Sequence, residues 1–376
     1  MTDAPKQTHE YDRRILLVVI GMTPQIVTET LYKLAVQQEP AFVPTEVHLI
    51  TTKEGANSAT LALLGVEKDQ GWFQQFKEDY DFPGIQFDES NIHVITDTEG
   101  QFIDDNQSTD HNRIASDFIT NKVKEFTADD KSAVHVSLAG GRKTMSFYAG
   151  YALSLYGRGQ DRLSHVLVSN VFQNNKDFFY PRPKPERIEI DNRYYSTNDA
   201  KIIFSDIPYV RMRYQIPQSL LDGTAGYQET VEKIQLFMQP ETVVFNVAEN
   251  IVEFNTILVE FVDSDFAFYL WMCERKIAGE SPLVLDADEF MSDYLEVYAR
   301  VVGQHSGMYG RAEEVAIEKT ANQQKDWFLQ RKAKTKQRIQ SKLGKRPALP
   351  FLIQTVGRKK EEAYTISLPP DAIKKT

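Results

Sequence analysis

The chain of 376 residues, 41% hydrophobic and 26% charged, suits two domains, each with its own core. It has no apolar run near the roughly 20 residues that cross a bilayer, and its polar start, Met1 to Arg14, lacks a signal-peptide pattern. One cysteine, Cys273, and seven histidines without metal-ligand spacing exclude intrachain disulfides and cysteine-rich zinc sites, so a cytoplasmic protein without metal or cofactor is expected. The net charge of −10 argues against wholesale coating by nucleic acid, although basic residues outnumber acidic ones from Lys325 onward.

Ile15 to Ile20 reads as a parallel strand buried on both faces. The turn Gly21-Met22-Thr23-Pro24 leads into a helix whose inner face is Ile26, Val27, Leu31 and Leu34. A second strand, Val47 to Thr51, ends in Thr52-Lys53-Glu54-Gly55, and Asn57 or Ser58 caps a helix running to Leu64. Ile92 to Ile95 is a third strand, trailed by an acidic loop to Asp110. Ala133 to Leu138, the turn Ala139-Gly140-Gly141-Arg142-Lys143 and the helix Thr144 to Leu155 form the fourth unit. His165 to Val171 is the fifth strand. Phe178 to Tyr180 and Arg187 to Ile190 read as a closing antiparallel pair. Strands alternating with helices at this spacing predict a Rossmann-like α/β fold with a parallel sheet.

Asp191 to Gly226 is irregular, and the expected division is 12–195, a linker over 196–235, and 236–376. The second domain opens with β-like runs at Thr242 to Val247 and Ile251 to Leu258. Helices follow at Asp263 to Lys276, Asp288 to Val301 and Gln324 to Leu343, the last one basic. Two strands, Phe351 to Val356 and Ala363 to Leu368, are joined by Gly357-Arg358-Lys359-Lys360-Glu361. Helices, a basic helix and a charged hairpin predict an α+β winged helix-turn-helix.

Ser137-Leu138-Ala139-Gly140-Gly141-Arg142-Lys143-Thr144 carries the strongest chemical signal. Ligands of open parallel sheets bind at the carboxyl ends of strands. Two glycines there let backbone approach a phosphate, and the helix after them points unpaired N–H groups at the anion. Arg142 and Lys143 add full charge. The alternative is a tight turn with two surface bases. Thr23 and Gln25, with Gly21 and Met22, lie at the same edge as ligand contacts or ordinary caps. Lys53, Ser169 and Asn170 complete a polar ring, or serve as cap and loop residues.

Together, strand–Gly-Met-Thr-Pro-Gln–helix and strand–Ser-Leu-Ala-Gly-Gly-Arg-Lys-Thr-Met–helix resemble the CRISPR-associated Rossmann fold (CARF) family over about residues 12 to 190. The likeness is nearest to Csm-type ring nucleases that carry a winged helix. The resemblance implies a homodimer that binds cyclic oligoadenylate, cA4 or cA6, across its two-fold axis in type III CRISPR antiviral defence. It implies that Gly140, Gly141, Arg142 and Lys143 grip phosphates and that Thr23 and Gln25 contact the ring. Some members cut the ring without metal, and Lys143 and Thr23 are the catalytic candidates. The alternatives are a ligand-controlled DNA-binding regulator without enzymatic activity and a ribonuclease effector using Arg300 and His305.

In the tail, Arg331, Lys334, Lys336, Arg338 and Lys359 are candidate DNA contacts; a docking module with solvated bases is the other reading. Trp72, Trp271 and Trp327 read as core, His135 and His165 as strand residues, and the stretch Asp97 to Asp110 as a solvated loop.

Overall fold

A strand covered on both faces must be apolar at every position, and the fold is built around one. β1 (Arg13–Val19) has Ile15 through Val19 inaccessible to solvent. The computed structural model describes residues 6–66, 69–173, 175–285, 290–317, 319–358 and 362–375. It divides into Met1–Arg213 with Thr224–Gln228, and Tyr214–Gly223 with Glu229–Thr376.

In the first unit β1 is followed by α1 (Gln25–Leu31), β2 (Glu46–Thr51), α2 (Lys53–Ala59) and the short pair β3 (Gly65–Val66) and β4 (Asp69–Gln70). Next come α3 (Trp72–Tyr80), β5 (Ile92–Val94), α4 (Thr109–Phe126), β6 (Ser132–Ser137) and α5 (Lys143–Tyr156). The unit closes with β7 (Arg162–Val168), the hairpin β8 (Arg187–Ile190) and β9 (Arg193–Ser196), and β10 (Ile202–Asp206). The large sheet has the order β10-β7-β6-β1-β2-β5, parallel except for β10 against β7. This is the Rossmann order, with its reversal point between β1 and β6.

Register sets the two faces. Leu17 lies beside Val136, and Val136 beside Leu163. α5 covers this row, since a Cβ on Gly150 would lie 3.6 Å from Leu163 Cδ2. On the other face Val18 lies beside Ser137, and the Thr30 and Ser137 hydroxyls are 3.3 Å apart, which places α1 there. Alternate residues of β1 thus feed two cores, each apolar side chain contributing about 1.5–3 kcal/mol.

Several elements differ from the sequence reading. Phe178 to Tyr180 is buried but not a strand; β8 pairs with β9 instead. β10 lies within the range read as linker, yet it is an edge strand of the first sheet, with Phe204 beside Val166. α2 starts at Lys53 under a Thr52 cap, five or six residues before the expected one, because the Thr hydroxyl accepts from Gly55 N. α3 and α4 were not expected.

The second unit contains α6 (Gln218–Asp222), the continuation of α7 (Tyr227–Phe237), and β11 (Val243–Asn246), β12 (Ile251–Phe254) and β13 (Ile257–Glu260). Asn255, at φ 54°, splits the expected strand Ile251 to Leu258 into a hairpin; left-handed backbone suits Asn. Next are α8 (Asp263–Ile277), β14 (Leu283–Val284), α9 (Phe290–Val302), α10 (Gly307–Ile317), α11 (Ala321–Leu343), β15 (Ile353–Val356), β16 (Ala363–Ile366) and β17 (Ile373–Lys375). α8 is buried continuously from Phe266 to Cys273, as expected of a helix that is apolar all round. Its sheets are β13-β12-β11-β17 and β14-β16-β15. The expected helix start at Asp288 lies outside the described residues, as does the hairpin tip at Lys359. No helix among the described residues is long and apolar enough to cross a membrane.

Candidate functional site

Three turns meet at the carboxyl edge of the first sheet, and glycine makes the meeting possible. A Cβ on Gly21 would lie 3.2 Å from Gly141 Cα. One on Gly140 would lie 2.9 Å from Ile26 Cδ1 and 3.1 Å from the Val19 carbonyl. Gly141 itself has φ 79°, a conformation that disfavours any side chain. Gly55, at the head of α2, would bring a Cβ 2.8 Å from the Gly21 carbonyl. The glycine pair therefore answers first to packing between turns. Gly55 completes the set; the sequence places it in the turn after the second strand, and its contact with Gly21 depends on neighbouring strands that no local pattern reveals.

This packing brings Gly21 to Gln25, Lys53, and Ala139 to Thr144 together around the β1–β6 reversal point. Met22, Thr23, Lys53, Arg142 and Lys143 are exposed. α5 begins beneath them: its N-cap, Arg142, is extended and gives no side-chain cap, so its side chain satisfies none of the first N–H groups at the positive helix end. Lys143 is unpaired among the described residues. Arg142 is held by Asp105 through Nε at 3.0 Å and through Nη2. The guanidinium keeps the Asp105 carboxyl far below the usual carboxylate range, and the carboxylate raises Arg142. Lys53 Nζ lies 3.4 Å from Asp104. Thr144 accepts a 3.4 Å hydrogen bond from Asn106 Nδ2.

Gln25 donates to the Lys176 carbonyl at 3.4 Å, while its Oε1 is buried without a partner. Lys176 is exposed and adds a cation beside the first turn that the sequence reading did not single out. Ser169 has a different task. It exchanges hydrogen bonds with the Lys201 backbone, at 2.9 and 3.2 Å, and so fastens β7 to β10. Asn170 follows in an exposed turn. Ala139 packs against the apolar cluster of Phe172 and Phe178, so it supports the turn. His135, in a cavity of about 230 Å³ lined also by Arg162 and Asp206, is buried and its pKa is pushed down to about 3 by desolvation. It bonds Ser164 at 2.7 Å.

In the second unit the basic helix α11 uses part of its charge in contacts within the fold. Arg331 reaches Ser264 at 2.8 Å and Asp265 at 2.6 Å, and Arg338 donates to the Glu260 carbonyl at 2.7 Å. These two arginines are committed to their own fold. Lys334 and Lys336 are exposed. Lys359 lies outside the described residues. Arg300 is paired with Glu274, and α9 ends at Val302 before Gly303 at φ 85°; Arg300 and His305 do not share a helix.

The family described as CRISPR-associated protein NE0113 matches residues 23–241, more than half of the chain, and the chain belongs to that family. No curated protein sequence matches it. Among solved structures it is similar to Enterococcus italicus Csm6 bound to cyclic hexa-2'-fluoro-hexa-dAMP, at 12% identity and a TM-score of 0.24. That match covers 81% of this chain and 53% of the other, so this chain spans about half its length.

Proposed function

We propose that this member of the CRISPR-associated NE0113 family is a sensor of type III CRISPR defence that binds cyclic oligoadenylate across the two-fold axis of a homodimer. The observation that carries the reading is the convergence of Gly21–Gln25 and Gly140–Lys143 on the Rossmann reversal point, over an α5 N-terminus that its N-cap residue, Arg142, does not cap with its side chain. An uncapped helix end with neighbouring cations suits phosphate. A ring with its own rotational symmetry is met by two identical cradles in a two-fold dimer. Lys143, Arg142 and Lys53 hold phosphates, Gln25 offers its unpartnered oxygen to a base or ribose, and Thr23 lies beside them.

The same arrangement suits slow, metal-independent ring cleavage. A ribose 2′-OH attacks the adjacent phosphorus and the 5′-oxygen leaves with a proton, giving 2′,3′-cyclic phosphate and 5′-OH ends. Lys143 stabilises the charge developing on the phosphoryl oxygens, and Thr23 positions the attacking group. Incubation with cA4 and cA6 in EDTA, followed by separation of products, tests this. Linear products lost in Lys143→Ala support cleavage, and intact rings that bind tightly leave a sensor alone. Absence of binding ends the proposal.

A regulator that binds DNA is the second reading, favoured by the second unit's order. Helix, strand, helices and a hairpin in the sheet order β14-β16-β15 fit a winged helix. Lys334 and Lys336 then face phosphates. A DNA mobility shift that requires the ring supports this reading.

A further inference from the structure

The acidic stretch before α4 reads from sequence as a solvated loop, but it is tied to the candidate site at several points. Ile103 N donates to the Ile95 carbonyl at 3.0 Å, and the Ile103 carbonyl accepts from Lys53 N at 2.9 Å. His111 Nδ1 lies 2.9 Å from the Asp105 carbonyl, and Asn106 bridges Asn112 and Thr144 at 3.0 and 3.4 Å. This framework holds Asp104 against Lys53 and both Asp105 oxygens against Arg142. A carboxylate and a phosphodiester offer a guanidinium the same pair of acceptor oxygens.

We infer that Asp104 and Asp105 are internal stand-ins for phosphate, and that a phosphodiester ligand enters by exchanging with them at Lys53 and Arg142. The identity of the ligand rests on the reading given under Proposed function; the exchange rests on the contacts above. Lys143, which no carboxylate holds, makes the first contact. Exchange selects by multivalency. A lone phosphate displaces one carboxylate and leaves the other in place, whereas a ligand carrying several linked phosphates displaces both, its second exchange being intramolecular. Asp104 and Asp105 thereby set which anions occupy the cradle.

Calorimetry with two probes, cyclic tetra-adenylate and inorganic pyrophosphate, tests the exchange. Exposed ion pairs each weigh up to about fivefold in an equilibrium, so Asp104→Asn with Asp105→Asn tightens binding of either probe by about tenfold. Glu99→Gln removes one charge from the same loop without touching either cation and changes affinity less than about twofold. In a double-mutant cycle, Arg142→Ala cancels the gain from Asp105→Asn. If the double variant melts early, Asp104→Asn alone carries the test on the exposed Lys53 arm. A gain for pyrophosphate with no ring bound by any form upholds the exchange and removes the ring reading. Equal affinities in wild type and double variant, an equal gain from Glu99→Gln, or no binding of either probe by any form overturns the exchange.

Discussion

Gly55→Ala offers a sign test of how the site is built. Within a helix this change ordinarily stabilises by about 0.5–1 kcal/mol, because glycine loses more backbone freedom on folding. Gly55 is buried in the first turn of α2, where a Cβ would lie 2.0 Å from Thr51 Oγ1 and 2.8 Å from the Gly21 carbonyl. The hydroxyl can rotate, but the carbonyl is backbone and belongs to the first turn of the candidate site. Overpacking of this kind costs about 1–3 kcal/mol. The net effect is a destabilisation of about 1–2 kcal/mol, or about 2–8 °C in melting temperature for a unit of this size. Displacement of Gly21 also moves Thr23 and Gln25, so affinity for the ring falls with stability. Thermal denaturation followed by calorimetry reads both. A variant that melts above the wild type and binds unchanged would refute the claim that the turns are locked by glycine contacts.

Asp161 is fully buried and accepts hydrogen bonds from Val134 N at 2.9 Å, Arg158 N at 2.7 Å, and Arg158 Nε and Nη2 at 2.9 and 2.8 Å. Asp161→Asn leaves the Arg158 charge buried without its partner and costs about 3–5 kcal/mol, measured as a lower urea midpoint. Glu29, buried in α1, has its pKa pushed up to about 7 by desolvation. Its cost is full above pH 7 and vanishes below the unfolded value near 4.5, so Glu29→Gln raises the melting temperature at pH 8 and not at pH 4.5. His93 runs the other way. Burial depresses it to about 4, so it stabilises above its unfolded value of 6.5, and that contribution fades as pH falls from 6.5 through 4. His93→Asn therefore flattens the loss of stability on acidification between pH 7 and 4, read as urea midpoints. Lys334→Ala with Lys336→Ala weakens any DNA binding and lowers its salt slope, whereas Arg331→Ala lowers stability by breaking the Asp265 contact.

The central strands were legible because burial on both faces leaves apolar runs, unbroken at Ile15 to Ile20 and interrupted only by His135 and Ser137 at Ala133 to Leu138. β10 was not, because it is a short edge strand whose Ile203, Ser205 and Asp206 face solvent. α4 was obscured by its composition. Its buried face, Ala115, Ile119, Val123 and Phe126, is a narrow stripe in an otherwise polar helix that follows an acidic loop. In the second unit α8 was plain, whereas β17 is only three residues, Ile373–Lys375, and pairs with β11 far back in the chain. The Gly-Gly-Arg-Lys turn was found from sequence, with its glycines credited to ligand approach or to a tight turn, but not to packing against the neighbouring turns. Contacts with Val19, Ile20 and Ile26 depend on β1 and β6 being neighbours, which no local pattern reveals. The pairing of Asp105 with Arg142 was missed for the same reason: 37 residues separate them, and charge patterning speaks only to near neighbours.

The proposed function requires a phosphate cradle at the reversal point between β1 and β6, shared by two copies of the chain. Titrating cA4 and cA6 into the wild type and into an Arg142→Ala, Lys143→Ala variant, with the heat and the stoichiometry both read, tests it most directly. The expected result is one ring per two wild-type chains and at least about a hundredfold weaker binding by the variant, since two charge-assisted contacts are lost. Binding of equal strength by both proteins, or no heat with either ring, would contradict it.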